Sequence, residues 1–204
     1  MTYRLSFQKS SIETSKPAPN CDAKLYDTGK RFLHRLVPPP AVPGSPDRSI
    51  ALVIGYLARM CSVQEDEVAI LVLDRKGENL WFAAPEYLTR IKGKFPFNRL
   101  SSVAGRSLCD RRPIVENQMT LVNHLAYFEQ VRRKNMGPSR IEKMLTYPVV
   151  IGGSPLGVVQ ISRKATIQQP SQPSFFPSDV RNISDIDVVL VRLIQRIRES
   201  MFSH

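Results

Sequence analysis

The spacing of hydrophobic residues changes several times along the chain, and each change marks an element. Ile50, Val53, Ile54, Leu57 and Met60 recur at three- and four-residue steps, which puts them on one face of a helix. Ser45 as cap, Pro46 as first helical residue and Asp47 in the first turn set its start. Glu67 to Asp74 is an almost unbroken apolar run that reads as a buried strand. Arg75 to Asn79 then turns the chain into a second strand, Leu80 to Ala84. Ser102 to Arg111 predicts a short helix, and Pro113 opens a strand over Ile114 to Asn117. Gln118 to Glu142 is polar and only weakly helical; a connection of that length in a compact domain is either functional or disordered. Met144 to Ile151 and Leu156 to Ser162 form a second hairpin around Gly152-Gly153-Ser154-Pro155, followed by a Gln/Pro/Ser loop from Ala165 to Pro177.

Ser178 is placed to cap a closing helix that runs to about Ser200. Ile183, Ile186, Leu190, Leu193, Ile194, Ile197 and Met201 make its apolar stripe. Val188, Val189 and Val191 widen the stripe beyond what one sheet face needs. It therefore predicts either a core helix with spare apolar width or a dimer bundle shared with the 47–61 helix.

Residues 1–46 look different. Asp22 to Val37 has Leu25, Phe32, Leu33 and Leu36 on a possible helical face, and Pro38 to Pro46 is a stiff, polyproline-like linker. The domain organisation expected is thus an amino-terminal extension, 1–46, and one domain, 47–204. At 204 residues and 42% hydrophobic the chain can bury one good core. It has no apolar run of bilayer-spanning length and no secretory leader, so no membrane contact and a cytoplasmic location are expected. Three cysteines without a CxxC, and three scattered histidines, argue against a disulfide framework and against a metal site. The net charge of +11 could draw a polyanion, but the basic residues are spread along the whole chain. That scatter favours solvated surface charge over nucleic acid, and leaves an anionic ligand open.

The order helix, hairpin, short helix, strand, long connection, hairpin, helix resembles that of the GAF domain over roughly residues 47–202. Val103-Ala104-Gly105-Arg106-Ser107-Leu108 followed by Arg112-Pro113-Ile114-Val115 is similar to the family's glycine-led short helix and next strand. Pro155-Leu156-Gly157-Val158-Val159-Gln160 is similar to its late strand pair, and Phe176-Pro177-Ser178-Asp179 to the start of its closing helix. The resemblance implies an α+β fold: an antiparallel sheet of five or six strands, terminal helices on one face and a helix/loop lid on the other. It also implies sensory function through a small ligand, signalling by a helix-mediated homodimer to a separate output protein, with no cofactor identified. A ligand-free dimerisation or scaffold module in signal transduction or transcription control is the alternative.

Several specialised activities of such domains lack their residues here. Free-methionine-sulfoxide reductases of this fold carry a reactive Cys between Val and Gly where this chain has Ala104, and bilin-binding relatives need a Cys in the long connection. The cyclic-nucleotide signature is matched in part by Lys164, Phe175 and Asp179, with Arg163 and Val180 in place of Asn and Glu. No G-x-S-x-G elbow, phosphate loop or carboxylate cluster occurs, so a non-enzymatic role is expected.

A pocket of this type lies between one sheet face and the long connection. Its candidate ligand-binding residues are Trp81, Phe97, Ser101, Cys109 and Asn117 as floor and wall, with His124, Tyr127 and Arg132 from the connection. Each also has a plain structural reading: Cys109 as a packed thiol, Tyr127 as core, His124 as a surface group. If Trp81, Tyr127 and Phe128 fill the space themselves, the scaffold reading wins.

Overall fold

The computed structural model describes residues 46–92, 94–119, 140–165 and 171–202. The arm, Ser45 and most of the long connection lie outside the described residues, as do the candidates His124, Tyr127 and Arg132. The elements run α1 (Pro46–Cys61), a 3-10 turn (Glu65–Glu67), β1 (Val68–Leu73), β2 (Asn79–Ala84), α2 (Glu86–Lys92), β3 (Lys94–Pro96), α3 (Val103–Asp110), β4 (Ile114–Glu116), β5 (Arg140–Ile151), β6 (Ser154–Ala165), α4 (Pro177–Ser184) and α5 (Asp187–Met201). The strands form one six-stranded antiparallel sheet in the order β3-β2-β1-β6-β5-β4.

β1 is central and buried along its whole length, as its unbroken apolar run requires. Its residues alternate between two cores. Val68, Ile70 and Val72 meet α1, α4 and α5 on one face. Ala69, Leu71 and Leu73 meet α3 on the other, together with Leu80, Phe82 and Phe95. The apolar side of α1 is buried through Val53, Leu57 and Cys61, with Ile50 and Met60 partly covered. The β5–β6 hairpin is longer than the sequence pattern predicts, because its turn needs only Gly152 and Gly153. Their φ values of 53° and 80° give the twist that suits a two-residue hairpin.

The closing helix departs from expectation. It is two helices, broken at Asp185–Ile186, where Ile186 has φ −109° and ψ 16°. Its cap is Phe176 rather than Ser178: Pro177 takes the first helical position and the Asp179 carboxylate accepts the Phe176 N–H at 2.7 Å. The wide stripe of α5 is largely taken up within the chain, since Val189, Leu190, Leu193, Ile194 and Ile197 are all buried in its own core and Val191 is partly covered. Val188 and Met201 remain exposed.

Close packing of α5 on the sheet depends on Gly157. A Cβ there would collide with the Leu71 carbonyl oxygen and sit 3.1 Å from the Ile194 Cδ1. Gly105 plays the matching part in α3, where a Cβ would run into the Asn98 carbonyl oxygen. α3 starts at Ser102, whose hydroxyl accepts the Gly105 N–H at 2.9 Å, as a helix cap should. No helix among the described residues is long and apolar enough to cross a membrane.

Candidate functional site

The α3 face of the sheet carries a feature that the opposite face lacks. β5 and β6 pair Thr146 with Gln160 and Met144 with Ser162. On each strand the neighbouring residues Leu145, Tyr147, Val159 and Ile161 point into the helix-side core. Thr146, Gln160 and Ser162 therefore share the α3 face with Met144 and Val158. All three are buried. Gln160 Nε2 donates to Thr146 Oγ1 at 3.2 Å and touches Met144 Sδ at the same distance. Ser162 Oγ donates to the Glu67 carbonyl at 3.2 Å.

This polar row ends on a charged pair of residues. The Glu67 carboxylate accepts the Lys164 N–H and the Gln64 N–H, both at 2.9 Å, which holds the 3-10 turn against β6. Lys164, with a side chain 1% exposed, lies 3.7 Å from the Asp66 carboxylate. The long connection leaves from the buried Met119 and returns at the buried Ile141, and both belong to this face. Polar groups converging in an apolar surround are what a small-molecule site needs.

The sequence candidates separate when placed on this frame. Phe97 packs at the margin of the α3-side core. Ser101 sits in the turn before α3, where its hydroxyl donates to the Pro96 and Asn98 carbonyls at 3.0 and 3.2 Å. Cys109 is on an exposed part of α3, and its thiol is raised above its ordinary value by desolvation and by Asp110, against an opposing Arg99. Asn117 faces the lead-in to α4: its Nδ2 donates to the Phe175 carbonyl at 3.2 Å and its Oδ1 accepts the Phe175 N–H at 2.9 Å. Trp81 lies on the opposite face, edge-on to Phe202 at the end of α5, with a centroid separation of 5.9 Å. Its neighbour Phe82 is the one that faces α3. Trp81 is thus not brought together with Phe97 and Ser101.

Two further groups bear on chemistry. Cys61 is buried at the end of α1, and its thiol is pushed up to about 12 by desolvation first and Asp179 second, despite Arg163. Neither described cysteine is an activated thiolate. Ala104, at the position of the reductases' cysteine, is buried against apolar neighbours. Arg163 holds the helix side together: its guanidinium donates to the Cys61 carbonyl at 3.0 Å and to the Pro173 carbonyl at 3.2 Å, and lies over the Phe175 ring.

A cleft of about 490 Å³ runs beside the edge strand β4, with Arg99, Arg106 and Arg112 around it. Its guanidiniums already face carboxylates, Arg106 on Glu116 at 2.6 Å and Arg99 on Asp110 at 3.1 Å. Arg112 approaches the same Asp110 at 3.7 Å. No group of three or more potential metal ligands occurs among the described residues.

The sequence reading missed Thr146, Gln160 and Ser162. The signal was available, since polar residues two apart inside an apolar strand fall on one face.

No protein-family model matches the sequence, and no curated protein is detectably similar to it. Solved structures do match in fold. The GAF domain of an Acinetobacter phosphoenolpyruvate-protein phosphotransferase is 14% identical, with 92% of this chain and 99% of that one covered and a TM-score of 0.62. The GAF domain of a phosphoenolpyruvate-protein phosphotransferase from Coxiella burnetii is 16% identical over 88% and 98% of the two chains, with a TM-score of 0.60. A free methionine-R-sulfoxide reductase from Neisseria meningitidis, solved with its substrate, is 14% identical over 93% and 99%, with a TM-score of 0.55.

Proposed function

This is a GAF-like α+β domain, and from that premise we propose that it is a non-enzymatic, cytoplasmic sensory module. Its ligand is a small molecule held on the α3 face, over the row Thr146, Gln160 and Ser162. That row is the observation that carries the reading: three buried polar side chains on adjacent positions of two strands, within a cluster of apolar residues. His124, Tyr127 and Arg132 belong to the connection that starts and ends there, and the cationic Arg132 makes an anion the first ligand class to test. Phe97 and Ser101 flank the same face, at the start of α3. The raised thiols of Cys61 and Cys109, and Ala104 in place of a cysteine, support a binding role over thiol chemistry.

Ligand binding would shift α1 and α5, which pack on the far side of the same strands, and a homodimer through the 47–61 and 179–202 helices would pass the change to a separate output protein. A second reading is favoured by one observation. Gln160 and Ser162 already have partners in Thr146 and Glu67, as in a core that satisfies itself. A ligand-free scaffold would look the same.

Native mass spectrometry of the purified chain, before and after dialysis, separates the two. The sensor reading expects a dimer with an extra small mass that Gln160→Leu abolishes. A dimer of bare mass in both proteins supports the scaffold, and a monomer overturns the dimer.

A further inference from the structure

An open sheet has two edges, and here they differ. β3 closes one edge with Lys94 and Pro96, a charge and a residue without an N–H, both of which discourage further pairing. β4 forms the other edge. Its Ile114 and Val115 are anchored in the two cores, one on each face, and β5 pairs with it along one side. Among the described residues no backbone hydrogen bond reaches the other side of β4, and the cleft lined by Arg99, Arg106 and Arg112 runs beside it. That cleft holds a surplus of positive charge. Arg106 takes Glu116 at 2.6 Å, whereas Arg99 and Arg112 share the single carboxylate of Asp110, at 3.1 and 3.7 Å. Three guanidiniums against two carboxylates leave one positive charge over. Arg111, exposed at the left-handed cap of α3, meets no carboxylate among the described residues and adds another. The side chains of Arg99 and Arg112 are 64% and 70% exposed, so a second carboxylate can share them at little cost.

We propose that this edge docks an extended, acidic segment of a partner protein, added to the six-stranded sheet as a further strand beside β4. Main-chain groups of the segment pair with the open side of β4, and its carboxylates lie against Arg99 and Arg112. β4 has three residues, so main-chain pairing alone holds a segment weakly and the arginines supply the rest. Leu100, next to Arg99 and 90% exposed, offers an apolar contact. Its turn is fixed by the Asn98 side-chain oxygen, which accepts the Leu100 and Ser101 N–H groups at 3.0 and 2.7 Å. Two other occupants fit less well. A second copy of this chain, paired β4 to β4, sets one arginine surplus against another. A nucleic acid satisfies the arginines, but its phosphates also meet the open carbonyl oxygens of the edge. The docking is independent of a small molecule on the α3 face, and it gives the proposed output protein a surface to hold.

Fluorescence anisotropy on the full chain tests this, with a labelled octapeptide that alternates glutamate and valine. Saturable binding is expected, weakening as salt is raised. Arg99→Ala/Arg112→Ala, a change of two exposed side chains, should weaken it about tenfold, the worth of two surface ion pairs. A second readout leaves the protein unchanged. The peptide is N-methylated at alternate amides, in the two possible registers, which keeps its charge. One form should lose binding and the other keep it, because only one set of amides faces β4. Equal binding by both forms would mean charge without a strand and overturn the proposal. So would equal binding by the double variant, or no saturable binding at all. Tighter binding of a labelled oligothymidylate would assign the surface to nucleic acid instead. A dimer that the peptide dissociates in sedimentation would assign the edge to a second copy.

Discussion

On one face of the sheet, β5 and β6 send Leu145, Tyr147, Val159 and Ile161 into the terminal helices; on the other, the same strands send Thr146, Gln160 and Ser162 toward α3. Both sets are buried, yet they do different work. The helix side is mostly apolar, with Arg163 and Arg196 among its buried residues, and is closed by α1, α4 and α5, with Gly157 letting α5 lie directly on the strands. The α3 side gives up apolar contact at three adjacent positions, which lowers what hydrophobic burial can contribute there. The comparison teaches that one pair of strands can pack apolar side chains against helices on one face while its buried polar groups find partners within the chain on the other.

The largest expected effect breaks the helix side outright. Gly157→Val should cost more than about 3 kcal/mol, above the usual range for an overpacked core, because the collision is with main chain as well as Ile194. Urea unfolding would show either a much lower midpoint or no folded baseline. Leu193→Ala, at a fully buried position on the same side, should lose about 2–5 kcal/mol. Gln160→Leu on the α3 face should change stability by no more than about 1.5 kcal/mol, since a hydrogen bond and a polar burial are exchanged for apolar packing. If Gln160→Leu were as damaging as Leu193→Ala, the division between the faces would fail.

The two described cysteines sharpen the same contrast. Cys61, buried on the helix side with its thiol pushed up to about 12, should resist alkylation in the folded chain and react only on unfolding. Cys109, exposed on α3, should react in the folded state, slowly near neutrality and faster as pH rises toward its raised value. Peptide mapping after timed labelling at two pH values reads both.

The smallest effect concerns pH. Burial raises the Asp187 carboxyl above its usual value, only partly offset by the Tyr147 hydroxyl 3.3 Å away. The folded chain then keeps a proton that the unfolded chain releases near pH 4, so stability declines as pH rises from about 4 through the raised value and then levels off. Asp187→Asn should flatten this slope in urea midpoints taken between pH 4 and 7.

Much of the frame was legible because it follows strong periodicities. β1 is a continuous apolar run, α1 repeats at three and four residues, and Gly152-Gly153 can do little but turn. The stretch from Pro85 to Asn98 was not read, because α2 and the three-residue β3 are too short for a period to show. The break between α4 and α5 carries no Pro or Gly to announce it. Alternation does put Trp81 and Phe82 on opposite faces, but which face is which depends on Phe202, which is far away in the chain. Asn117 looked like a polar wall residue because local sequence cannot disclose a partner at Phe175. The polar row needed two strands in register before it became a row at all.

The Asn117–Phe175 clasp has a bearing on the order of events in folding. Its partners are 58 residues apart, so closing that loop unaided would cost about 3–4 kcal/mol of chain entropy, by the logarithmic scaling of loop closure. Two hydrogen bonds of ordinary net worth, about 1 kcal/mol each, cannot recover that alone. The clasp can therefore close only after the β5–β6 hairpin has shortened the path between its partners. It belongs to the descent from the transition state rather than the climb. Asn117→Ala should accordingly speed unfolding in stopped-flow measurements and leave the refolding rate nearly unchanged. That outcome would mean that the join between edge strand and closing helices slows the loss of the native state without hastening its formation.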